Sequence, residues 1–475
     1  MSQWIIWFGG ALHLFFGIWG ASHALLHKRN PRAALSWCAT CLFIPLGGPL
    51  FYLLFGINRV RRRAKRLSTE RLAAHTELHP EQTPPAAYAE EFGRFERCAR
   101  RITRHPVVGS NRVTPLHNGE EAYPAMLADI AAAKRRVWLA AYIFDTDTSG
   151  RQFIDELRQA TERGVEVRVL IDGFGQLSSL RRVTGRLTSA GIPNVQFLPP
   201  RLFPPLLWFN LRNHRKILVV DDDISYTGGM NISDRHVANK RGKRNVVDLH
   251  FRMTGPISRQ LAEIFRDDWR FASGEDLASE QTNPTDISAA QHTPILCRTL
   301  TDGPDRDLDN LSMLIQSVAA SAERSLKIMT PYFLPGRELI AAFKSAAMRG
   351  TEVSVILPIK SDLPYMTWAT RNMLWELLEW GVHIYYQPAP FVHSKLIVAD
   401  DEYALVGSAN IDARSLRLNF EIVTEIFDKS FSQALAQHFD ETLSRSRRIT
   451  LEEVDGRSLL PRLRDSIAWL FSPYL

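Results

Sequence analysis

The stretch NHRKILVVDDDISYTGGMN, residues 213–231, places His214 and Lys216 two positions apart at the start of an apolar run. The run is typical of a buried strand, and Asp221 and a Gly-Gly turn follow it before Asn231. Alternate side chains of a strand point to the same face, so His214 and Lys216 are predicted to project together. A core strand needs none of these polar groups, which indicates a functional site.

The same pattern occurs a second time, in HSKLIVADDEYALVGSANI, residues 393–411. Eight of its 19 positions are identical to those of residues 214–232. Packing maintains the apolar pattern of an internal repeat, but it does not require the polar residues to recur. Two such sets facing each other would place two Lys and two Asn around a phosphate, with one imidazole on each side for in-line displacement. The polar residues of the second copy are His393, Lys395, Asp400 and Asn410.

The two aspartates of the repeat have two readings. Asp221 and Asp400 belong to the candidate catalytic set because they recur with the His and the Lys. They are also suited to hold the connection between strand and turn through local hydrogen bonds, and we favour this role over proton transfer.

The sequence around the two copies predicts an α/β fold. Residues 134–175 and 323–362 each read as strand, helix and strand, so strands covered by helices on both faces are expected. The polar stretch 274–293 is the natural seam between the two halves. The predicted organisation is a membrane hairpin (1–66), a linker (67–118), a first lobe (119–280) and a second lobe (281–475).

The N-terminal segment has the length and composition of a membrane hairpin. Residues 4–26 and 33–57 are apolar stretches long enough to span a bilayer, joined by a short loop. The basic cluster Arg59–Arg66 predicts that both lobes face the cytoplasm. The same cluster either fixes topology alone or also attracts anionic headgroups.

The net charge argues against a nucleic-acid partner. The chain carries +7, but its first 67 residues hold nine Lys and Arg and no acid, so the remaining 408 carry −2. The pair Cys38 and Cys41 lies in an apolar stretch and indicates helix packing, not a metal site. Four scattered cysteines fit a reducing compartment.

The motif HxKxxxxD followed by G(S/G)xN, present twice, resembles the double motif of the phospholipase D superfamily. The chain is similar above all to bacterial cardiolipin synthases, through GGPLFYLLFG, YIFDTDTSG, TPYFLPG, GSANIDARSLRLNFE and the terminal LFSPYL. The resemblance implies two similar lobes with mixed sheets covered by helices. It also implies an active site at the lobe interface, preceded by a two-span membrane hairpin.

The resemblance implies a two-step transfer between two phosphatidylglycerol molecules through a phosphatidyl-histidine. By analogy we favour His214 as the nucleophile and His393 as the general acid and base. A neutral imidazole is nucleophilic, and its pKa near 6.5 lets it alternate roles. No metal or other cofactor is needed, because side chains would bind the phosphoryl oxygens: Lys216, Lys395, Asn231, Asn410 and Ser408.

In relatives a carboxylate after each motif holds the catalytic histidine. Glu421, which lies 28 residues after His393, is the expected partner of that histidine, and Asp248 is the expected partner of His214. The chain departs from the family pattern at two places. Gly229 replaces the usual Ser, and Val246-Val247 replaces the usual Trp-Arg before Asp248, so we expect an altered acceptor preference.

Several alternatives remain open at this point. The same site chemistry serves a hydrolase, or a transferase that uses phosphatidylethanolamine or another acceptor, and a membrane scaffold is the non-enzymatic alternative. The expected partners are phosphatidylglycerol and anionic membrane lipids, with no nucleic acid. The terminal SIAWLFSPYL, residues 466–475, fits docking on the membrane and packing in the core equally well. The sequence leaves the oligomeric state open.

Overall fold

The computed structural model describes residues 2–28, 31–57, 86–175, 182–199, 211–237, 245–278, 295–304 and 307–472. These residues fall into two compact units, one up to residue 57 and the other from residue 86 onward. The basic cluster Arg59–Arg66, on which the predicted topology depends, lies outside the described residues. So do residues 67–85 of the predicted linker.

The first unit is a helical hairpin packed through glycines. A Cβ atom at Gly20 would lie 2.8 Å from Sγ of Cys41, so the helices approach at a distance that only glycine allows. Cys41 is buried beside Ala24 and Tyr52, as expected for a packing residue. Its helices are α1 (Ser2–His27), α2 (Pro31–Phe43) and α3 (Gly47–Phe51), followed by a π-helical turn (Tyr52–Gly56).

The predicted membrane spans, residues 4–26 and 33–57, fall on the helices of this unit. Among the residues that the structure describes, no single helix combines the length and the apolar character needed to cross a bilayer.

The second unit is built on one 16-stranded sheet. Its strand order is β18-β13-β12-β11-β15-β16-β17-β10-β1-β9-β7-β6-β2-β3-β4, with β5 attached to β17, while β8 and β14 form a separate pair. The strands are β1 (Val108–His117), β2 (Arg136–Ala141), β3 (Glu166–Asp172), β4 (Asn194–Phe197), β5 (Arg212–Asn213), β6 (Ile217–Val220), β7 (Ile224–Gly228), β8 (Val246–Val247), β9 (Leu249–Thr254), β10 (Ile295–Asp302), β11 (Ser325–Met329), β12 (Glu352–Pro358), β13 (His383–Gln387), β14 (Phe391–Val392), β15 (Leu396–Ala399), β16 (Tyr403–Gly407), β17 (Asn419–Phe427) and β18 (Arg447–Arg448).

Helices cover this sheet and pack apolar core residues against it in both lobes. The helices are α4 (Ala86–Ala99), α5 (Asn118–Ala132), α6 (Thr148–Glu162), α7 (Val183–Ser189), α8 (Ile257–Ser273), α9 (Asn310–Ser321), α10 (Arg337–Met348), α11 (Pro364–Leu378), α12 (Lys429–Ser444), α13 (Leu451–Asp455) and α14 (Leu459–Leu470).

The two lobes repeat one arrangement, which confirms the predicted strand–helix–strand units and the mixed sheets. In the first lobe β2 and β3 pair in parallel around α6, and the antiparallel hairpin of β6 and β7 follows on the other side of β2. In the second lobe β11 and β12 pair in parallel around α10, beside the hairpin of β15 and β16. The apolar runs after His214 and His393 are therefore central strands.

The join between the lobes differs from the prediction. Residues 108–117 were expected in the linker, but they form β1, which pairs with β9 of the first lobe and β10 of the second. This strand is polar and contains Pro115, so it lacks the alternation that predicts strands. Its neighbours on both sides supply the ladder hydrogen bonds, and the side chain of Asn111 bonds the backbone of Val108 and Ile295.

Candidate active site

Each histidine of the repeat lies just before a buried strand, with its lysine beside it. His214, Lys216, His393 and Lys395 are all buried. Lys216 donates from Nζ to the backbone oxygen of His214 at 2.7 Å, and Lys395 makes the same bond to His393. Residues 214–216 and 393–395 lie just outside β6 and β15, so projection of each His-Lys pair from one face of a strand stays a prediction.

The two pairs come together at the junction of the lobes. Burial lowers the pKa of Lys216 to about 7, and the positive charge of Lys395 contributes to the same shift. Burial also lowers the pKa of His393 well below its usual value, with further contributions from Lys395, Lys216 and His214. Charges of one lobe thus act on groups of the other across a short distance.

Short strands cross between the lobes directly before each histidine. β5 pairs in parallel with the start of β17, and the backbone nitrogen of His214 donates to the oxygen of Phe420 at 2.9 Å. β14 pairs with β8, and the backbone nitrogen of His393 donates to the oxygen of Val247 at 2.8 Å. His214 therefore lies beside Glu421, the residue after Phe420, and His393 lies beside Asp248, the residue after Val247.

This crossing corrects the predicted carboxylate partners. Nδ1 of His214 lies 3.1 Å from Oε2 of Glu421, and Nδ1 of His393 lies 2.8 Å from Oδ2 of Asp248. We had paired Glu421 with His393 and Asp248 with His214, and both assignments were wrong. The reason is that the short strands before the histidines pair with the other lobe. The backbone of each histidine is hydrogen-bonded to the residue that precedes the other lobe's carboxylate.

Glu421 is fully buried and saturated with donors. Ser408 donates to its Oε2 at 2.5 Å, while Ser415 and Asn419 donate to its Oε1 at 2.9 and 3.1 Å. Burial raises the pKa of Glu421, but His214 and these hydrogen bonds outweigh it, so the net pKa is lowered. Glu421 is therefore held as a carboxylate.

Ser408 uses its hydroxyl proton within the protein. The hydroxyl donates to Glu421, and binding of a phosphoryl oxygen by Ser408 stays a prediction. Its backbone oxygen lies 3.2 Å from Nδ1 of His214. Ser408 thus positions Glu421 and, through it, the histidine.

Gly229, which occupies the position equivalent to Ser408, makes room for Asp248. A Cβ atom at Gly229 would lie 2.3 Å from Oδ1 and 2.6 Å from Oδ2 of Asp248. Aspartate is one methylene shorter than glutamate, so its carboxylate lies closer to its own backbone, which runs beside Gly229. The two lobes therefore use matched pairs, Gly229 with Asp248 and Ser408 with Glu421.

The partners of each ring nitrogen define its protonation. Nδ1 of His214 faces two acceptors, the oxygens of Glu421 and Ser408, so it carries the ring proton and Nε2 keeps its lone pair. Burial lowers the pKa of His214 to about 4, which keeps the ring neutral near pH 7. Nδ1 of His393 faces Asp248 but also Nζ of Lys395 at 3.0 Å. The two histidines are therefore held in different electrostatic surroundings.

Asp221 and Asp400 hold backbone, which is the structural role favoured from the sequence, but their hydrogen bonds reach residues 75–87 positions away and are not the predicted local ones. The carboxylate of Asp221 accepts from the backbone nitrogens of Lys134, Arg135 and Arg136, at the start of β2. The carboxylate of Asp400 accepts from three successive backbone nitrogens, of residues 323–325 at the start of β11. Both carboxylates fasten the motif hairpin to the neighbouring strand.

The two asparagines have partners that the sequence did not reveal. The backbone nitrogen of Asn231 donates to Nε2 of His236, and that of Asn410 donates to Oγ of Ser415. In both copies the partner lies five residues after the asparagine. This equal spacing could have identified the partners, but one is a histidine and the other a serine. Nδ2 of Asn410 also donates to Ser415 at 3.2 Å. Binding of a phosphoryl oxygen by either asparagine stays a prediction.

Arg215, between the histidine and lysine of the first copy, is a buried residue that sequence reasoning missed. Its guanidinium bonds Asp268 at 2.5 Å and the backbone oxygen of Glu421 at 3.0 Å. Asp268 also accepts from the side chain of Asn213 at 3.0 Å. This network fixes the segment before His214 that crosses to the other lobe. In the sequence, Arg215 does not stand out from the basic residues beside it, Arg212 and Lys216.

Comparisons with known proteins agree with this architecture. The family model described as cardiolipin synthase, PLD-like domain, matches residues 126–269 and 315–443. A second model, described as phospholipase D-nuclease N-terminal, matches residues 5–56.

Similar proteins span nearly the whole chain. The major cardiolipin synthase of Bacillus subtilis is 32% identical over 458 residues, covering 94% of this chain and 95% of the relative. Cardiolipin synthase A of Serratia proteamaculans is 32% identical over 478 residues, covering 97% and 98%. The crystal structure of phosphatidylserine synthase from Haemophilus influenzae Rd KW20 shares the fold, with a TM-score of 0.63 and 16% identity, over 80% of this chain and all of that one. The chain therefore belongs to the cardiolipin synthase family of phospholipase D-like proteins.

Proposed function

We propose that the chain is a phosphatidyltransferase that converts two phosphatidylglycerol molecules into cardiolipin and glycerol. The observation that carries the proposal is the pair of histidines from two lobes, each held at Nδ1 by a buried carboxylate. Near-full-length relatives named cardiolipin synthase support the substrate and product.

In the first step, Nε2 of His214 attacks the phosphorus of one phosphatidylglycerol. A P–N bond forms, and the bond between phosphorus and the oxygen of the headgroup glycerol breaks. His393, protonated in this complex, gives its proton to that oxygen, so free glycerol leaves. Glu421 holds the proton on Nδ1 of His214 and stabilises the positive ring.

In the second step, the hydroxyl of a second phosphatidylglycerol attacks the phosphatidyl-histidine. Neutral His393 takes the proton of that hydroxyl, the P–N bond breaks, and cardiolipin forms. His214 is neutral again and His393 carries a proton, ready for the next cycle. In both steps Asp248 accepts a hydrogen bond from Nδ1–H of His393, so its carboxylate positions the ring that acts as acid and base.

Lys216 and Lys395 are proposed to bind the phosphoryl oxygens. Both ammonium groups are buried, and their charge would stabilise the additional negative charge that develops on the phosphoryl group. The lysine charges lower the pKa of His393, so its protonation depends on the negative charge of a bound phosphodiester, which offsets them.

We also propose that residues 4–26 and 33–57 anchor the enzyme in the cytoplasmic membrane, with the lobes on the cytoplasmic side. The apolar character of both stretches and the family match over residues 5–56 support the anchor. Many large apolar side chains of α1 face outward, among them Trp4, Trp7 and Phe8. An exposed aromatic surface of this kind suits lipid better than water.

The reaction is tested with the full chain in phosphatidylglycerol vesicles. The expected products are cardiolipin and glycerol in equal amounts, identified by mass spectrometry. Phosphatidic acid as the main product would instead identify a hydrolase. Phosphatidylethanolamine added to the vesicles tests a second donor, because its use would release ethanolamine.

A further inference from the structure

The terminal helix α14 carries an apolar stripe that faces away from the protein. Six side chains of this stripe are between 50% and 78% exposed. At about 100° per residue, the five that lie within the helix fall inside an arc of about 100°. The terminal apolar stripe consists of Leu459, Leu460, Leu463, Ile467, Leu470 and Phe471.

The opposite side of α14 is clamped to α11. Asp465 is fully buried and ion-paired with Arg457 and Arg464, and Arg371 of α11 lies 3.9 Å from it. Ser466 donates to the side chain of Asn372 at 3.0 Å. Because this face already provides the packing of the helix, the stripe is not needed for the core.

Within residues 457–472 the exposed charged side chains are basic. Arg462 and Arg464 flank the stripe and are exposed, and Arg464 is paired with Asp465, the sole acid of these residues, which is buried in the clamp. Trp469, which is partly exposed, lies on the same terminal turn. Leucines flanked by arginines, with a tryptophan beside them, are typical of helices that lie in the surface of an anionic bilayer.

We propose that α14 docks on the surface of an anionic phospholipid bilayer through the terminal apolar stripe, as a membrane contact separate from the N-terminal hairpin. The basic residues on its flanks favour lipid over a neutral protein surface.

α14 packs on α11, which begins just after Asp362. The hydroxyl of Tyr332 donates to Asp362 at 2.6 Å, and the ring of Tyr332 lies 6.3 Å from that of His393. Docking would thus tie the catalytic lobe to the lipid surface.

The occupant of the stripe can be identified by photo-cross-linking in the full chain, reconstituted in vesicles of phosphatidylglycerol and phosphatidylcholine. Benzoylphenylalanine replaces Leu463, and the irradiated peptide is analysed by mass spectrometry. A phospholipid adduct is the expected result. A cross-linked dimer, a cross-link to residues 2–57 or the absence of any adduct would overturn the proposal. Met348, an exposed apolar residue of α10, is the control position, and lipid adducts there in equal yield would also overturn it.

Two variants separate docking from catalysis. Arg462→Glu should lower the yield of lipid adduct at least about fivefold in vesicles that contain phosphatidylglycerol and leave it unchanged in phosphatidylcholine alone. Ile467→Glu should slow turnover of bilayer substrate about tenfold but not turnover of a dispersed short-chain substrate. Equal loss on both substrates, or none on either, would contradict the proposal without touching the proposed reaction.

Discussion

Asp248 of the first lobe holds His393 of the second, with 2.8 Å between Oδ2 and Nδ1, across 145 positions of sequence. Glu421 of the second lobe holds His214 of the first in the same way. Each catalytic half is therefore completed by the other lobe. A single lobe would carry a histidine without its carboxylate, so we expect catalysis to require both lobes in one folded unit.

The matched pair of Gly229 and Asp248 predicts a rescue. Gly229→Ser should lower kcat at least about tenfold, because its Cβ atom would displace the carboxylate that holds His393. Adding Asp248→Glu copies the Ser408 and Glu421 pair of the second lobe and should restore part of the activity. Steady-state kinetics of the two single variants and the double variant test this. A fully active Gly229→Ser enzyme, or a double variant no better than the poorer single one, would contradict the matched-pair account.

Asp400→Asn should destabilise the protein without impairing the chemistry. The substitution weakens the acceptor of three partly buried backbone N–H groups and removes the ion pair with Arg94, which costs about 1–3 kcal/mol of unfolding free energy. Thermal unfolding in detergent should therefore begin several degrees lower, while kcat of the folded protein changes less than about twofold. Asp248→Asn is the matched comparison, with the reverse outcome. A large loss of kcat at unchanged stability would assign Asp400 a direct catalytic role.

The buried lysines predict how activity depends on pH. Burial lowers the pKa of Lys216 to about 7 and that of Lys395 to about 8, so both lose their positive charge as the pH rises from 7 to 9. Loss of these charges weakens phosphate binding, and kcat/KM should fall over this range. His214, with its pKa lowered to about 4 by burial, stays neutral on the acid side, so no loss from its protonation is expected between pH 5 and 6. A kcat/KM that rises from pH 6 to 9, measured with vesicle association checked at each pH, would contradict this account.

The sequence was sufficient for the repeat and its core, and the reason is physical. The apolar run after His214 and Lys216 is long enough to predict β6, and its recurrence after His393 and Lys395 predicts β15. The carboxylate partners were not predictable, because β5, β8 and β14 have two residues each and show no periodicity. The strand β1 escaped prediction because its neighbours, not its own apolar residues, hold it in the sheet.

For the terminal segment too, the sequence alone does not decide which residues pack against the protein. Its composition fits both core packing and membrane docking, and the buried position of Asp465 decides which face of α14 meets the protein. A buried aspartate in an apolar helix is not predictable without its arginine partners.

The most direct test of the site uses a leaving group that needs no general acid. In a p-nitrophenyl ester of phosphatidic acid, the departing phenolate requires no proton, so His393 and Asp248 become dispensable for the first step. His393→Ala and Asp248→Asn should then release a burst of one p-nitrophenol per chain and gain the mass of one phosphatidyl group. His214→Ala and Glu421→Gln should show neither the burst nor the added mass. A burst in His214→Ala, or Asp248→Asn behaving like His214→Ala, would contradict the crossed pairing and the assignment of the nucleophile.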